Sequence, residues 1–456
     1  MARLTESTTS TAPASPRGAI AAACIGNLLE WYDFTVYALF ATYIARSFFP
    51  SNESGTALVK TFLTFGAGFI ARPLGAVLIG AYGDRAGRKA ALLLTIWIMA
   101  GGTLLIAVAP DYASIGVLAP WLLLLGRLLQ GLSAGGEIGS ASAFLVESAS
   151  AGARGRLGAW QEASMGLSNI LGALVAFTVS VTLSGDELQR WGWRIPFAVG
   201  LLIAPAGVLL RRSVRETAEF EAERARRRAV APGAHTGPAG QSADAPLRSL
   251  LRDHGAALMV GFGLSILWAV AVYVLNIYTP VYVQGAFGFT ARQAFAASLI
   301  GNVFFVLTCL AAGRLSDRIG RATVLTAGAL ALLTAVLPLY LWLRAEPTTV
   351  VLVTVQSAFC VMVGTFVGVA PAALSDLFPT SVRSTGISLV YNGAFVIFGG
   401  FAPAILTWFT HRANGSAMAP AAYVICAAAV GLATMPFFAR RRGGQPTDAG
   451  AAEALA

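Results

Sequence analysis

Twelve long apolar runs, parted by short charged or Pro/Gly-bearing breaks, dominate the chain. They lie at about 20–46, 57–82, 90–110, 115–144, 158–184, 193–211, 254–284, 293–313, 322–343, 348–375, 384–409 and 417–439. A helix needs roughly 20 predominantly apolar residues to cross a bilayer. The runs are too long for strands, and barrel strands would alternate in stretches of about 10 residues. The pattern predicts an all-α membrane protein with twelve transmembrane helices. Only 12% of the 456 residues are charged, about half the usual share of a soluble domain. A chain with so few charges cannot cover a soluble surface. That excludes a cytosolic enzyme, a disordered protein and an ordinary nucleic-acid binder. The four cysteines stand singly in apolar runs, so no disulfide framework is expected.

The net charge of +10 is a topology signal. With the N-terminus inside, the inner segments hold 23 of the 32 basic residues and the outer segments 7, while Arg72 and Arg127 fall within spans. The positive-inside rule then places both termini in the cytoplasm. The longest polar stretch, 212–253, divides six spans from six. It reads as a Glu/Arg-rich start followed by a Gly/Pro/Ala linker. The expected organisation is a tail (1–19), a six-helix bundle (20–211), the linker (212–253), a second bundle (254–440) and a tail (441–456). The first run continues into a second span, so it is not expected to be a cleaved signal.

The two bundles repeat each other. Gly83-Asp84-Arg85-Ala86-Gly87-Arg88 closes span 2, and Ser316-Asp317-Arg318-Ile319-Gly320-Arg321 closes span 8, 233 residues on. Glu147 precedes Arg154 by seven residues and Asp376 precedes Arg383 by seven, an offset of 229. Two matches at nearly one offset indicate pseudo-symmetric six-helix halves. Such repeats place a substrate site near the midplane, between halves that rock around it. At the inner surface, Arg85 and Arg88 are expected to meet Glu147, and Arg318 and Arg321 to meet Asp376. With Asp84, Arg154, Asp317 and Arg383, these form the candidate gate.

Ionisable residues inside spans are costly and usually functional. They concentrate in the first half as Glu30, Asp33, Arg72, Arg127 and Glu137, with Glu162 near the inner end of span 5. The polar span residues of the second half are neutral. The first half is therefore expected to carry the ion chemistry and the second to shape the pocket. All three histidines lie at span ends or in loops, so the proton carriers expected are Asp33, Glu30 and Glu137. A guanidinium matches a carboxylate with two parallel bonds. That makes Arg127 a candidate substrate ligand, with Gln130 on its face and Arg72 as a second. Tyr37, Asn276, Tyr278 and Asn392 are candidate neutral ligands. Gly131-Leu132-Ser133-Ala134-Gly135 fits a hydrolase elbow pattern, but it lies mid-span without a preceding strand or a buried histidine. Its glycines read instead as a helix-packing face. No catalysis, no metal and no cofactor beyond the coupling proton is expected, nor an ATP-binding loop.

The Gly-Asp-Arg-x-Gly-Arg-Lys loop at 83–89, its echo after span 8 and the span count resemble the major facilitator superfamily. Asn27-Leu28-Leu29-Glu30-Trp31-Tyr32-Asp33-Phe34, Arg72-Pro73-Leu74-Gly75-Ala76, Gly126-Arg127-Leu128-Leu129-Gln130-Gly131 and Trp191-Gly192-Trp193-Arg194-Ile195-Pro196-Phe197 are similar to its metabolite:proton symporter family. Gly80-Ala81-Tyr82, Gly102-Thr103-Leu104-Leu105 and Ile277-Tyr278-Thr279-Pro280 narrow the likeness to citrate/tricarballylate proton symporters. The resemblance implies the major facilitator fold in a bacterial inner membrane. It also implies import of a tri- or dicarboxylate with protons, by a monomer that binds no nucleic acid. It further implies that Asp33 in span 1 works with Arg127 in span 4, as acid and arginine do in related sugar-type symporters. The alternatives are 2-oxoglutarate or another dicarboxylate, a zwitterion such as proline or betaine, a drug exporter, and a membrane-bound metabolite sensor. The short tails offer a sensor no output domain, and the buried charges argue against a drug exporter.

Overall fold

The computed structural model describes residues 16–51, 53–86, 88–135, 146, 152–212, 250–379, 382–411 and 417–443. The elements of the first half are α1 (Pro16–Leu39), α2 (Ala41–Phe48), α3 (Ser54–Ala86), α4 (Arg88–Val108), α5 (Tyr112–Ile115), α6 (Leu118–Ala134), α7 (Arg154–Thr182), α8 (Gly185–Arg190) and α9 (Ile195–Arg212). The second half holds α10 (Gly255–Val270), a π-helical turn (Ala271–Tyr278), α11 (Thr279–Phe287), α12 (Ala291–Ile319), α13 (Arg321–Ala345), α14 (Thr349–Val367) and α15 (Ala370–Leu377). It ends with α16 (Arg383–Ala394), a second π-helical turn (Phe395–Gly400), α17 (Ala402–Thr410) and α18 (Ala419–Gly443). Among the described residues nine helices are long and apolar enough to cross a membrane. The shorter apolar helices Leu93–Val108 and Leu118–Ala134, together with α1, complete the twelve expected from the sequence. Large apolar side chains such as Leu202, Met259 and Val350 stay exposed on the outside, where lipid takes the place of water.

The packing order repeats between halves. In the first, α3 packs on α6, α4 on α6 and α9, and α1 on α7 and α9. In the second, α12 packs on α14, α13 on α14 and α18, and α10 on α16 and α18. The halves meet through α7 against α12 and α3 against α17. These two contacts exchange under the same pseudo-symmetry. The loops between helices are closed by capping. Ser184 with Glu187, and Thr290 with Gln293, form reciprocal capping boxes of the kind that satisfies two orphan donors at a helix start. Asp111 caps α5, and its bonds from Ser114 hold its carboxyl below the usual range.

One seam in the first half is closer than side chains allow. A Cβ on Gly131 would stand 1.7 Å from the Gly68 carbonyl oxygen, and one on Gly135 would stand 1.8 Å from that of Arg72. A Cβ on Gly75 would stand 1.9 Å from the Leu132 oxygen. Thus α3 and α6 touch backbone to backbone, the close approach that small residues permit within membranes. The hydrolase-like Gly-x-Ser-x-Gly stretch is part of this packing face. The seam fixes Arg72 and Arg127 side by side at mid-helix.

Several expectations fall outside the described residues: the tails at 1–15 and 444–456, the linker at 213–249, and Glu137 and Glu147. The side chains of Asp84, Arg85 and Arg88 do so as well, although their helical backbone is described. Span 4 is described as helix only to Ala134.

Gly131→Ala forces the seam apart, at a cost of about 1–3 kcal/mol typical of overpacking. Purified yield and melting temperature should both fall. Gly101→Ala, where an added Cβ meets nothing within 4 Å, should match the wild type. Equal stability of the two variants would contradict the seam.

Candidate functional site

The buried charges gather where the seam holds them. Arg72 Nη2 donates to Glu30 Oε1 at 3.2 Å, and both side chains are buried. Arg127 Nη1 donates to Gln130 Oε1 at 2.7 Å. Gln130 Nε2 in turn donates to Asp33 Oδ2 at 3.2 Å and to Thr103 Oγ1 at 2.9 Å. Thr103 also donates directly to Asp33. Asp33 and Arg127 are therefore joined through Gln130 rather than in direct contact. The reason is spacing: Gln130 lies three residues after Arg127, on the same face of α6, and its amide fills the gap. The direct ion pair is Arg72 with Glu30, which the sequence did not single out.

Both guanidiniums lie among aromatic rings. Arg72 sits 4.9 Å from the Phe34 centroid and 4.3 Å from that of Phe69. Arg127 sits 4.5 Å from Phe34, 4.5 Å from Tyr37 and 4.8 Å from Phe65. Such stacking offsets part of the desolvation of a buried cation. It leaves the in-plane N–H groups open. Arg72 Nε and Nη1, and Arg127 Nε and Nη2, have no hydrogen-bond partner among the described residues. Buried donors are rarely left so, because an unmade bond costs about 1–3 kcal/mol. Adjacent Nε and Nη2 of Arg127 form the fork that takes a carboxylate with two bonds.

The second half faces this site with a neutral surface. Tyr273 from the π-helical turn packs on Trp31, Phe65 and Phe69, and its hydroxyl has no partner among the described residues. Asn276 Nδ2 and Asn392 Oδ1 are likewise unpartnered among the described residues. Tyr37 donates to the Thr61 carbonyl at 3.0 Å, and Tyr278 accepts from Thr407 at 3.2 Å. These two tyrosines are held in place as walls. Insertions of a π-turn recur at functional sites, and here two of them carry the inward-facing residues of α10–α11 and α16–α17.

Three features of the site escaped the sequence reading. Thr103 is an ordinary polar residue in an apolar run. The phenylalanine cage reads as core. Glu162 reads as a span charge but not as a wall: it is buried beside Trp268 of α10, across the interface. A polar chain also crosses the halves, from Thr35 to Asn169 at 2.5 Å and from Asn169 to Asn302 at 3.1 Å.

The halves touch at both ends. On one side Phe62 packs on Tyr278 and Phe40 on Phe295. On the other, Asp317 accepts from the backbone N–H of Gly155 at 2.8 Å and of Arg156 at 2.9 Å. A carboxylate of the second half thus caps the start of α7, where orphan donors and the helix dipole attract it. The expected ion pair of Arg321 with Asp376 is present, but it lies inside the second half. Arg318 is exposed. Arg383 Nε donates to the Ser375 and Phe378 carbonyls, also within its own half. Arg154 is partly buried at the start of α7. Among the described residues, Asp317 with backbone is a contact that links the halves here.

The sugar (and other) transporter family matches residues 19–443. The citrate-proton symporter of Salmonella typhi is 37% identical over 94% of this chain and 95% of its own. The alpha-ketoglutarate permease of Escherichia coli is 35% identical over 84% and 85%. The glycine betaine/proline/ectoine/pipecolic acid transporter OusA of Dickeya dadantii is 32% identical over 92% and 82%. Among solved structures, the proton:xylose symporter XylE matches with TM-score 0.72 and 17% identity over 94% of this chain and 96% of that one. The chain belongs to the sugar (and other) transporter family and has the major facilitator fold; it is a multi-pass membrane transporter, not an enzyme.

Removing the cap by Asp317→Ala costs about 0.5–2 kcal/mol, the range for a lost N-cap. Spin labels at the facing ends of α7 and α12 should then show a larger population of long distances by double electron–electron resonance. An unchanged distribution would refute the latch.

Proposed function

Starting from that membership, we propose that the chain imports a tri- or dicarboxylate of the citrate class together with protons across a bacterial inner membrane. Both termini lie on the cytoplasmic side in this reading, and access alternates between the two faces. The observation that carries it is the pair of buried guanidiniums with unused donors. A substrate with two or more carboxylates supplies acceptors for both Arg72 and Arg127. A zwitterion with one carboxylate supplies acceptors for only one. The kinship with a citrate symporter and an alpha-ketoglutarate permease supports the same class, and 2-oxoglutarate is the second reading within it.

Gln130 couples proton to anion. Its amide donates to Asp33 and accepts from Arg127, so each charge is felt by the other. An ionised Asp33 holds the Gln130–Arg127 relay to itself. A proton on Asp33 removes that negative charge, and the open fork of Arg127 then holds a carboxylate without an opposing anion nearby. Proton and anion thus favour each other's binding, as a symporter requires. The Arg72–Glu30 pair lets the second guanidinium stay buried while no substrate is present. Once the substrate has left to the inside, Asp33 must give up its proton before the empty carrier returns.

Reconstituted protein should accumulate labelled citrate under an inside-alkaline gradient and lose that accumulation on adding a protonophore. Asp33→Asn should bind and exchange citrate yet fail to accumulate it. Arg127→Ala should weaken binding by more than about 100-fold, since truncating one member of a buried charge pair costs about 3–5 kcal/mol. Accumulation driven by sodium and indifferent to the protonophore, or wild-type binding by Arg127→Ala, would sink the proposal.

A further inference from the structure

The first half contains a small, water-sized cleft whose walls come from α1, α4, α6 and α9. No residue of the second half lines it, and neither Arg72 nor Arg127 does. Its polar lining consists of Glu30, Asp33, Tyr32, Thr95, Thr103 and Ser133. The two buried acids of α1 therefore look both ways. They belong to the guanidinium cluster through Arg72 and Gln130, and they open on a separate space behind it.

The walls leave one face of Asp33 bare. Asp33 Oδ2 is engaged by Thr103 and Gln130. The other oxygen lies beside Gly200, where an added Cβ would come within 3.0 Å of Oδ1. Glycine at 200 and alanines at 100 and 204 keep the cleft open in front of that oxygen. From Asp33 the lining reaches Gly26, seven residues earlier on α1, which is about 10 Å along a helix. It extends toward the end of the half that carries the N-terminus. The charged or titratable groups around Asp33 are few. Glu30 and Tyr32 lie on its own helix, and Arg127 of α6 reaches it through Gln130. Neither α4 nor α9 brings a charge to the cleft.

We propose that this cleft is the proton's own exit from Asp33 to the inside, separate from the path of the anion between the halves. Water within it is held by the Thr95 and Ser133 hydroxyls and by the two carboxyls, which meets the need of a buried water for two to four polar partners. Asp33 Oδ1–H gives its proton to a water there. One O–H bond breaks, one forms, and a hydronium leaves inward. The anion never has to leave by this route, so Asp33 can shed its proton to the inside without using the space between the halves.

The inference rests on the proton-coupled reading above, and its test separates the two. Ala100→Leu and Ala204→Leu fill the cleft from α4 and from α9 without touching Asp33, Gln130 or either arginine. Ala100→Ser keeps it open and polar. Each protein is purified and reconstituted, with citrate as the probe. Exchange at equal pH is compared with accumulation and proton uptake under an inside-alkaline gradient. Both leucine variants should exchange citrate within about twofold of wild type while net proton-driven uptake slows at least about tenfold; Ala100→Ser should match wild type in both. Leucine variants that accumulate citrate as the wild type does, or that lose exchange in step with accumulation, would overturn the separate route. A wild-type protein that shows no proton-driven uptake would instead defeat the symport reading itself.

Discussion

Two guanidiniums buried at mid-helix set the terms for the rest of the first half. A charge in the bilayer interior must be paired, stacked or hydrated, and each device is present around Arg72 and Arg127. Glu30 pairs with one, Gln130 bonds to the other, and four aromatic rings lie within 5 Å of one guanidinium or the other. The glycine seam of α3 and α6 is a consequence of the same need. With side chains at 68, 75, 131 and 135, the helices would stand farther apart and the arginines could not share one cage. Phe34 serves both guanidiniums, and it sits on α1 one residue after Asp33. The acid, the cage and the arginines are thus one unit, assembled from three helices.

The two halves divide the labour despite their common packing order. The first carries every ionisable residue of the cluster. The second presents Trp268, Tyr273, Asn276, Tyr391 and Asn392, which are neutral and mostly aromatic. A neutral, π-turned surface can close over an anion without competing for its counter-charges. Glu162 is the exception at the interface, buried beside the indole of Trp268. Movement between the halves has to break the Asp317 cap on α7 and the Phe62–Tyr278 and Phe40–Phe295 contacts. None of these joins two opposite full charges, so none is individually strong, as a carrier that opens to both sides requires.

Much of this was legible in the sequence because bilayer physics writes itself in composition. Twelve apolar runs gave twelve helices, and charges in the wrong place marked Glu30, Asp33, Arg72 and Arg127. Gly131 and Gly135 were legible as a packing face by their spacing of four. What could not be seen was who meets whom. Arg72 and Glu30 are 42 residues apart, and nothing in either run states that they pair. Thr103, Phe65 and Phe69 look like neighbours of any other apolar run. The Asp317 cap was missed for a different reason: its partners are backbone N–H groups at a helix start, which carry no residue signature. Of the expected ion pairs, Arg321 with Asp376 is present and steadies a single half, while Arg85 and Arg88 with Glu147 lie outside the described residues.

The central claim is that the unused donors of Arg72 and Arg127 are the substrate's carboxylate sites. A structure determined with citrate bound, by cryo-electron microscopy or crystallography, tests it most directly. The account predicts carboxylate oxygens within hydrogen-bond reach of Arg127 Nε and Nη2 and of Arg72 Nε or Nη1, with the cage aromatics displaced to admit them. Citrate bound elsewhere between the halves, with both guanidiniums still enclosed as they are here, would contradict it.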